Sequence, residues 1–211
     1  DNGLTPPNEF IPLAEETGLI IPIGEWVLNK ACTQLSEWHQ SGRSPIGMAV
    51  NLSLIQFHDQ ELSAVVERIL GHSGIDPQFL TLELTESTLM HDVEKKIDMM
   101  KRLKDIGLKL AIDDFGTGFS SLNYLRRLPL DELKIDRSFL VDVSEDVNSR
   151  ALVSSVIYLS HNLGLLTVAE GVERKEQLDF LQQERCDQYQ GILFSPPVPN
   201  SELRELLPPE C

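Results

Sequence analysis

The sequence has few cysteines, no long apolar run and no recognisable targeting segment. The three cysteines, Cys32, Cys186 and Cys211, are far apart and lack CxxC or Cys/His spacing. A disulfide framework or a zinc site is therefore not expected, and reduced thiols in a reducing compartment are the simplest interpretation. No apolar run approaches the roughly 18 residues that a membrane-spanning helix needs. The first ten residues, DNGLTPPNEF, do not resemble a signal or transit peptide. We therefore expect a cytoplasmic domain without membrane contact.

Positive charge is also scarce. The 211 residues include 18 Lys and Arg against 33 Asp and Glu, so the formal net charge is −15. Binding of polymeric DNA or RNA is not expected, because its affinity comes mainly from Lys and Arg on phosphates. A small phosphorylated ligand remains compatible with this charge, since clustered acids can hold metal ions that attract phosphate.

What the chain does contain is a repeated alternation of apolar runs and amphipathic stretches. The apolar runs are IGMAVNLS, FLTLELTES, LKLAIDDF, DELKID, LLTVAEG and CDQYQG, and helical patterns lie at about 25–40, 57–70, 92–106, 120–127, 147–163 and 174–183. This alternation predicts an α/β fold of parallel strands with crossover helices. A doubly wound open sheet is the alternative, but neither GxGxxG nor GxxxxGK[ST] occurs, which favours a (βα) barrel.

Each apolar run ends on polar residues that would meet at one edge of the sheet. These residues are Asn51, Glu83, Asp113, Asp114, Lys134, Asp136, Glu170 and Gln190. The carboxyl ends of parallel strands share one edge, and α/β folds build their active sites there. Each residue alone has a structural explanation, such as a helix N-cap or a surface ion pair. Together they predict a site.

The chemistry of this set points to divalent cations. Its possible ligands are carboxylates and one amide, so Mg²⁺ or Mn²⁺ is expected rather than zinc. Two such ions would relieve the repulsion between the adjacent Asp113 and Asp114 and could activate a water against a phosphodiester. Lys134 could then orient the water, Glu170 could act as general base, and Gln190 could donate a hydrogen bond.

Several stretches resemble the EAL family, the cyclic di-GMP phosphodiesterases of bacterial signalling. They are NLS, ELTES, DDFGTGFSSLNYLRRLPLDELKIDRSF, EGVE and the QG…LFS element, and the similarity runs from about Pro7 to Glu205. The resemblance implies a TIM-like (βα)8 barrel that hydrolyses cyclic di-GMP to linear pGpG with Mg²⁺ or Mn²⁺. It also implies that residues 1–211 are a single EAL-type domain.

The resemblance assigns roles to the matching residues. It implies metal ligation by Asn51, Glu83, Asp113 and Asp114, with Asp136 supporting the second metal. Lys134 matches the lysine that contacts the catalytic water, and Glu170 matches the general base. Glu86 matches a residue that holds the DDFGTGFSS loop, which includes Gly116 and Gly118 and is linked to metal binding and dimerisation. Gln190 and Glu173 match positions that support substrate or loop.

The sequence departs from the family pattern in two places. The E-A-L tripeptide, whose Glu is a metal ligand, and the Arg that follows it do not occur, and about six βα units are present instead of eight. We expect an N-terminally truncated domain, because a barrel that truly lacked two strands would expose sheet edges. Pro196 also stands where the family often has an Arg.

Two other functions stay open at this point. One is a non-catalytic receptor for cyclic di-GMP, and the other is an enolate-forming barrel enzyme with Mg²⁺ and a lysine base. The family resemblance further implies a homodimer and attachment to upstream sensory or GGDEF-like domains.

Overall fold

Six parallel strands form one sheet in which neighbours along the chain are also neighbours in space. The computed structural model describes residues 5–41, 45–89, 93–116 and 122–206. The strands are β1 (Met48–Leu52), β2 (Leu80–Thr85), β3 (Lys109–Phe115), β4 (Glu132–Ile135), β5 (Leu166–Glu170) and β6 (Gln188–Gln190). Their order is β1-β2-β3-β4-β5-β6, with every neighbouring pair parallel. The order never reverses, so the doubly wound alternative is wrong and the sheet is half of a TIM-like barrel.

Helices connect the strands as the alternation predicted. They are α1 (Pro7–Glu16), α2 (Ile20–Gln40), α3 (Leu54–Phe57), α4 (Leu62–Ser73), α5 (Val93–Ile106), α6 (Leu122–Leu125), α7 (Val147–Asn162), α8 (Lys175–Gln183) and α9 (Asn200–Leu206). Short 3₁₀ turns lie at Pro77–Phe79, Glu86–Leu89 and Arg137–Phe139. The predicted strands are confirmed, and so are the connecting helices apart from the one predicted over 57–70, whereas α1 and α9 were not predicted.

The stretch predicted as one helix over 57–70 is two helices in the structure. Ser53 caps α3 in a capping box with Gln56, so a first helical turn begins directly after β1. The longer α4 begins at Leu62 and ends at Gly74, whose φ of +68° is a left-handed conformation that glycine adopts without strain. Capping residues therefore mark the start of α3 and the end of α4, which hydrophobic periodicity did not predict.

The two faces of the sheet have opposite chemistry. Leu82, Ile112 and Leu133 are fully buried and belong to the core between the strands and the surrounding helices. Side chains alternate along a strand, so the residues between them point to the other face. That face carries polar groups such as Glu83 and Lys134. The fold therefore directs the polar ends of the strands toward one shared concave side.

Two cysteines and the helices of the described residues relate to the expectations from composition. Cys32 and Cys186 are free thiols, and burial raises the pKa of each to about 11, so both are poor nucleophiles near neutral pH. Cys211 lies outside the described residues. Within the described part of the chain, no helix combines the length and the apolar character needed to cross a membrane.

Candidate active site

One ammonium group lies among three carboxylates at the carboxyl edge of the sheet. Lys134 Nζ is 2.6 Å from Glu170 Oε1, 2.8 Å from Glu83 Oε1 and 3.3 Å from Asp113 Oδ1. Four neighbouring strands, β2 to β5, supply these four side chains. Glu83, Asp113 and Lys134 are buried and Glu170 is half-buried. A single positive charge cannot neutralise three carboxylates, so the cluster has an excess of negative charge when all its members are ionised.

The pKa values in this cluster depend on the burial of its side chains and on the hydrogen bonds that Lys134 makes to two of the carboxylates. Burial raises the pKa of Glu83 and of Glu170, although hydrogen bonds from Lys134 oppose this. Burial alone would lower the pKa of Lys134, but hydrogen bonds to Glu170 and Glu83 outweigh it and the pKa is raised. Lys134 therefore remains a cation, while Glu170 has the raised pKa that suits a general base near neutral pH.

Asp113 and Asp114 are brought together by a local break in the strand. Successive residues of a regular strand point to opposite faces. Asp114 instead has φ of +53°, and the pairing of β3 with β4 shifts register between Ile112 and Phe115. The Asp114 N–H donates to Asp113 Oδ1 at 2.9 Å. This uncommon backbone conformation, which Asp tolerates better than most residues, lets both carboxylates serve the same side of the sheet.

These carboxylates fit a divalent cation. Oxygen atoms of Asp113, Asp114 and Glu170 all lie within 4.8 Å of one another. Burial, and then the charges of Asp113 and Asp136, raises the pKa of Asp114, although the charge of Lys134 opposes this. Asn51, on the strand next to Glu83 and in register with it, could add an amide oxygen. An all-oxygen donor set of this kind suits Mg²⁺ or Mn²⁺.

Glu86 holds the start of the loop that follows β3. It is almost completely buried, and its Oε2 accepts the N–H of Gly116 at 2.8 Å. Gly116 has φ of +99°, and a Cβ at this position would lie 2.6 Å from the ring of Phe139. Only glycine fits both constraints. The predicted loop residue Gly118 lies outside the described residues.

An open cavity of about 650 Å³ begins at these carboxylates. It is lined by the predicted residues Asp114, Asp136, Glu170, Glu173 and Gln190. The lining also includes apolar residues, which are Ile192, Phe194, Pro196, Pro197 and Val198, with Leu203 and Leu206 from α9. Carboxylates and apolar side chains in one cavity suit a ligand with both charged and flat apolar parts. A second cavity, of about 440 Å³ beside Phe57 and Arg102, contains none of the predicted residues.

Sequence reasoning missed a half-buried carboxyl group below the site and a cation beside it. Glu132 lies two positions before Lys134, at the amino end of β4, and burial raises the pKa of its carboxyl group. Strand alternation could have identified it, because it shares the face of Lys134. Arg137, which lines the cavity directly after Asp136, gave no signal in the sequence.

Comparison with known proteins assigns the chain to a family. A profile described as the EAL domain matches residues 1–197. The chain belongs to the EAL domain family. The bifunctional diguanylate cyclase/cyclic di-GMP phosphodiesterase MucR of Pseudomonas aeruginosa is 45% identical over 203 residues, covering 96% of this chain and 30% of MucR. The cyclic di-GMP phosphodiesterase NbdA of the same organism is 42% identical over 205 residues, covering 97% of this chain and 26% of NbdA.

Solved structures of EAL domains share the fold. The PaMucR phosphodiesterase in complex with c-di-GMP is 44% identical, with a TM-score of 0.92, and the match covers 96% of this chain and 82% of that one. The FimX EAL domain from Pseudomonas aeruginosa bound to c-di-GMP is 25% identical, with a TM-score of 0.84 and coverage of 92% and 77%. The chain thus spans less than a third of the length of MucR and NbdA, but most of these solved EAL chains.

Proposed function

We propose that this domain is a metal-dependent phosphodiesterase that hydrolyses cyclic di-GMP to linear pGpG. The proposal rests on the excess of carboxylates around Lys134. Asp113, Asp114 and Glu170 form a group that could hold a metal ion, and Asp114 and Glu170 also line the cavity. MucR and NbdA, whose names describe this activity, support the choice of substrate. The enolate-forming alternative has no comparable support.

The side chains have distinct roles in the proposed reaction. Glu170 accepts a proton from the attacking water as the water oxygen bonds to phosphorus. The bond between phosphorus and the 3′ oxygen breaks and the leaving oxygen takes up a proton from solvent water, so the ring opens and a 5′-phosphate and a 3′-hydroxyl form. Lys134, which is hydrogen-bonded to Glu170 at 2.6 Å, orients the water and offsets the developing negative charge.

The metal ligands are part of the same proposal. Two Mg²⁺ or Mn²⁺ ions would be held by residues from Asn51, Glu83, Asp113, Asp114 and Asp136. Bound divalent cations supply Lewis-acid activation of water and stabilisation of the phosphoryl oxygens. Glu173 and Gln190, which line the cavity, would contact the nucleotide.

The proposal extends to the setting of the domain. We place it in a longer cytoplasmic signalling protein with sensory or GGDEF-like domains, and we propose that it acts as a homodimer. The relatives support attachment to other domains, because the chain spans 30% of the length of MucR and 26% of the length of NbdA.

A paired assay tests the activity. The protein, as this chain and in its full natural length, is incubated with cyclic di-GMP and Mg²⁺ or Mn²⁺, and pGpG is separated by chromatography. We expect pGpG from the full-length protein, none after chelation with EDTA, and none from Glu170→Ala. Binding of cyclic di-GMP without turnover by the full-length protein would instead identify a receptor, and the roles given to Lys134 and Glu170 would be wrong.

A further inference from the structure

The cavity beside the carboxylates has one described cationic lining residue, Arg137. Its other charged lining residues in the described ranges are Asp114, Asp136, Glu170 and Glu173. Arg137 begins the 3₁₀ turn after β4 and is exposed. A cation in this position differs from Lys134, which is buried among carboxylates and has no such access to the cavity.

The guanidinium of Arg137 is not committed to another part of the fold. It makes no hydrogen bond and no ion pair within 4 Å with any residue that the structure describes. Its charge acts on the neighbouring Asp136, whose pKa is lowered chiefly by hydrogen bonds from Ser138 that overcome the effect of burial. Arg174 is the useful contrast, because its Nη2 donates to the carbonyl of Val141 at 2.6 Å. Arg137 therefore has its donors available to a ligand.

The position of Arg137 is fixed by contact with the strand that carries the proposed base. Gly171 follows Glu170 directly and has φ of +68°. A Cβ at Gly171 would lie 2.5 Å from Cβ of Arg137, so the stem of the arginine packs against the bare backbone. A side chain of any size at this position would displace it. This contact fixes the stem of Arg137, which lines the cavity together with Glu170.

The proposed substrate creates a need for a cation at this place. Cyclic di-GMP carries two phosphodiester groups, and only one of them can be cleaved at the carboxylate cluster at a time. The proposed metal ions and Lys134 would offset the carboxylates at the phosphate that is cleaved, whereas the second phosphate shares the cavity with Glu173 and gains from a further positive charge. The planar fork of arginine matches two phosphate oxygens and gives a strong, charge-assisted contact.

We propose that Arg137 binds the phosphate of cyclic di-GMP that is not being cleaved. This inference rests on the function proposed above. Arg137 is then a substrate-binding residue that acts mainly on affinity. Its contact is made before the reaction and kept through it, and such uniform binding raises KM when it is lost and leaves kcat nearly unchanged.

The test compares Arg137→Gln with Arg174→Gln in the full-length protein. Both changes remove one exposed positive charge from the same side of the domain, but Arg174 does not line this cavity. We expect KM for cyclic di-GMP to rise about 10- to 100-fold in Arg137→Gln, with kcat within about twofold of wild type. Arg174→Gln should keep wild-type values, and Arg137→Lys should lie between.

Two further measurements separate the outcomes. The dissociation constant, measured by calorimetry in a Glu170→Gln background over a range of salt concentration, should depend less on salt when Arg137 is Gln. Unchanged affinity in Arg137→Gln would overturn the proposal. So would a weaker affinity with the same salt dependence as wild type, because that result is expected for a contact to neutral guanine. If the wild-type protein shows no hydrolysis, the proposed function fails, but the calorimetric comparison still decides the role of Arg137.

Discussion

Lys104 and Lys134 each end among carboxylate oxygens, at opposite edges of the same sheet. Lys104 Nζ lies 2.7 Å from both oxygens of Asp131 and also donates to the carbonyl of Leu108 at 3.1 Å. Asp131 Oδ2 in turn accepts the N–H of Leu110, near the start of β3, at 2.8 Å. One cation therefore meets one carboxylate, and the pair binds the strand. Lys134 meets three carboxylates.

The arrangement at the amino edge occurs a second time. Asp187 precedes β6 and its Oδ2 accepts the N–H of Thr167, in β5, at 2.8 Å. The same oxygen lies 2.9 Å from Nε2 of His161 at the end of α7. At this edge an acidic residue joins a helix end to a strand start, and each such carboxylate has one basic side chain as its partner. Acidic residues alone therefore do not mark the site. The excess of carboxylates over cations does.

The largest expected effect is the fall in kcat when Lys134 is replaced, and the same change at Lys104 is its control. Lys134→Met removes the proposed charge stabilisation at the reacting phosphate, and we expect kcat to fall about 10²- to 10³-fold. Lys104→Met should keep kcat within about twofold, because Lys104 touches nothing at the carboxyl edge. Steady-state hydrolysis of cyclic di-GMP by the two variants measures the difference, with circular dichroism as a check of folding. Equal losses of kcat would contradict the distinction between the two edges.

At the amino edge, removing a charged residue should lower stability and leave kcat unchanged. Asp131→Ala leaves the N–H of Leu110 and the ammonium of Lys104 without their acceptor, which costs about 2 kcal/mol in the free energy of unfolding. For a domain of this size that is a fall in Tm of about 4 to 8 °C. Thermal unfolding followed by circular dichroism measures it, and kcat measured well below Tm should be unchanged. A loss of kcat in the folded variant would place Asp131 in the catalytic machinery.

The edges also differ in how far the sequence could predict them. The six strands and the placement of Glu83, Lys134 and Glu170 at one edge follow from period-two alternation and from the spacing of βα units. The structural pairs at the amino edge could not be predicted, because Asp131 and Asp187 join elements that only the tertiary fold brings together.

The Asp113–Asp114 pair shows a second limit of the sequence. Alternation places adjacent side chains on opposite faces, so a joint site required a change of backbone conformation that the pattern does not encode. The left-handed Asp114 and the register shift of β3 against β4 supply that change. The sequence also could not predict that α9 lines the cavity, because a short helix contacts the site only through tertiary packing.

Metal binding should stabilise the carboxyl edge and leave the amino edge unaffected. Burial raises the pKa of Glu83, Glu170 and Asp114, so these groups oppose folding when they are ionised without a metal. We expect Mn²⁺ or Mg²⁺ at ten times its dissociation constant to add about 1.4 kcal/mol, which is a rise in Tm of a few degrees.

A matched pair of variants locates this effect. Asp114→Asn should reduce the rise in Tm that the metal produces, whereas Asp187→Asn should show the full wild-type rise. Thermal shift with and without metal, after treatment with EDTA, gives both values. A wild-type response in Asp114→Asn would show that Asp114 is not a metal ligand.

The smallest expected effect is the pH dependence that Asp187 gives to stability. Burial alone would raise the pKa of Asp187, but the N–H of Thr167 and the ring of His161 outweigh it, so the pKa is lowered in the folded protein. A lowered folded pKa contributes stability that is present above the unfolded value, near 4, and is lost as the pH falls through the folded value.

Asp187→Asn keeps an acceptor oxygen but does not titrate. The difference in urea midpoint between wild type and Asp187→Asn should therefore be largest near pH 6 and shrink below about pH 4. A difference that stays constant from pH 6 to pH 3 would mean that the charge of Asp187 does not contribute, and that the amino edge is held by hydrogen bonds alone.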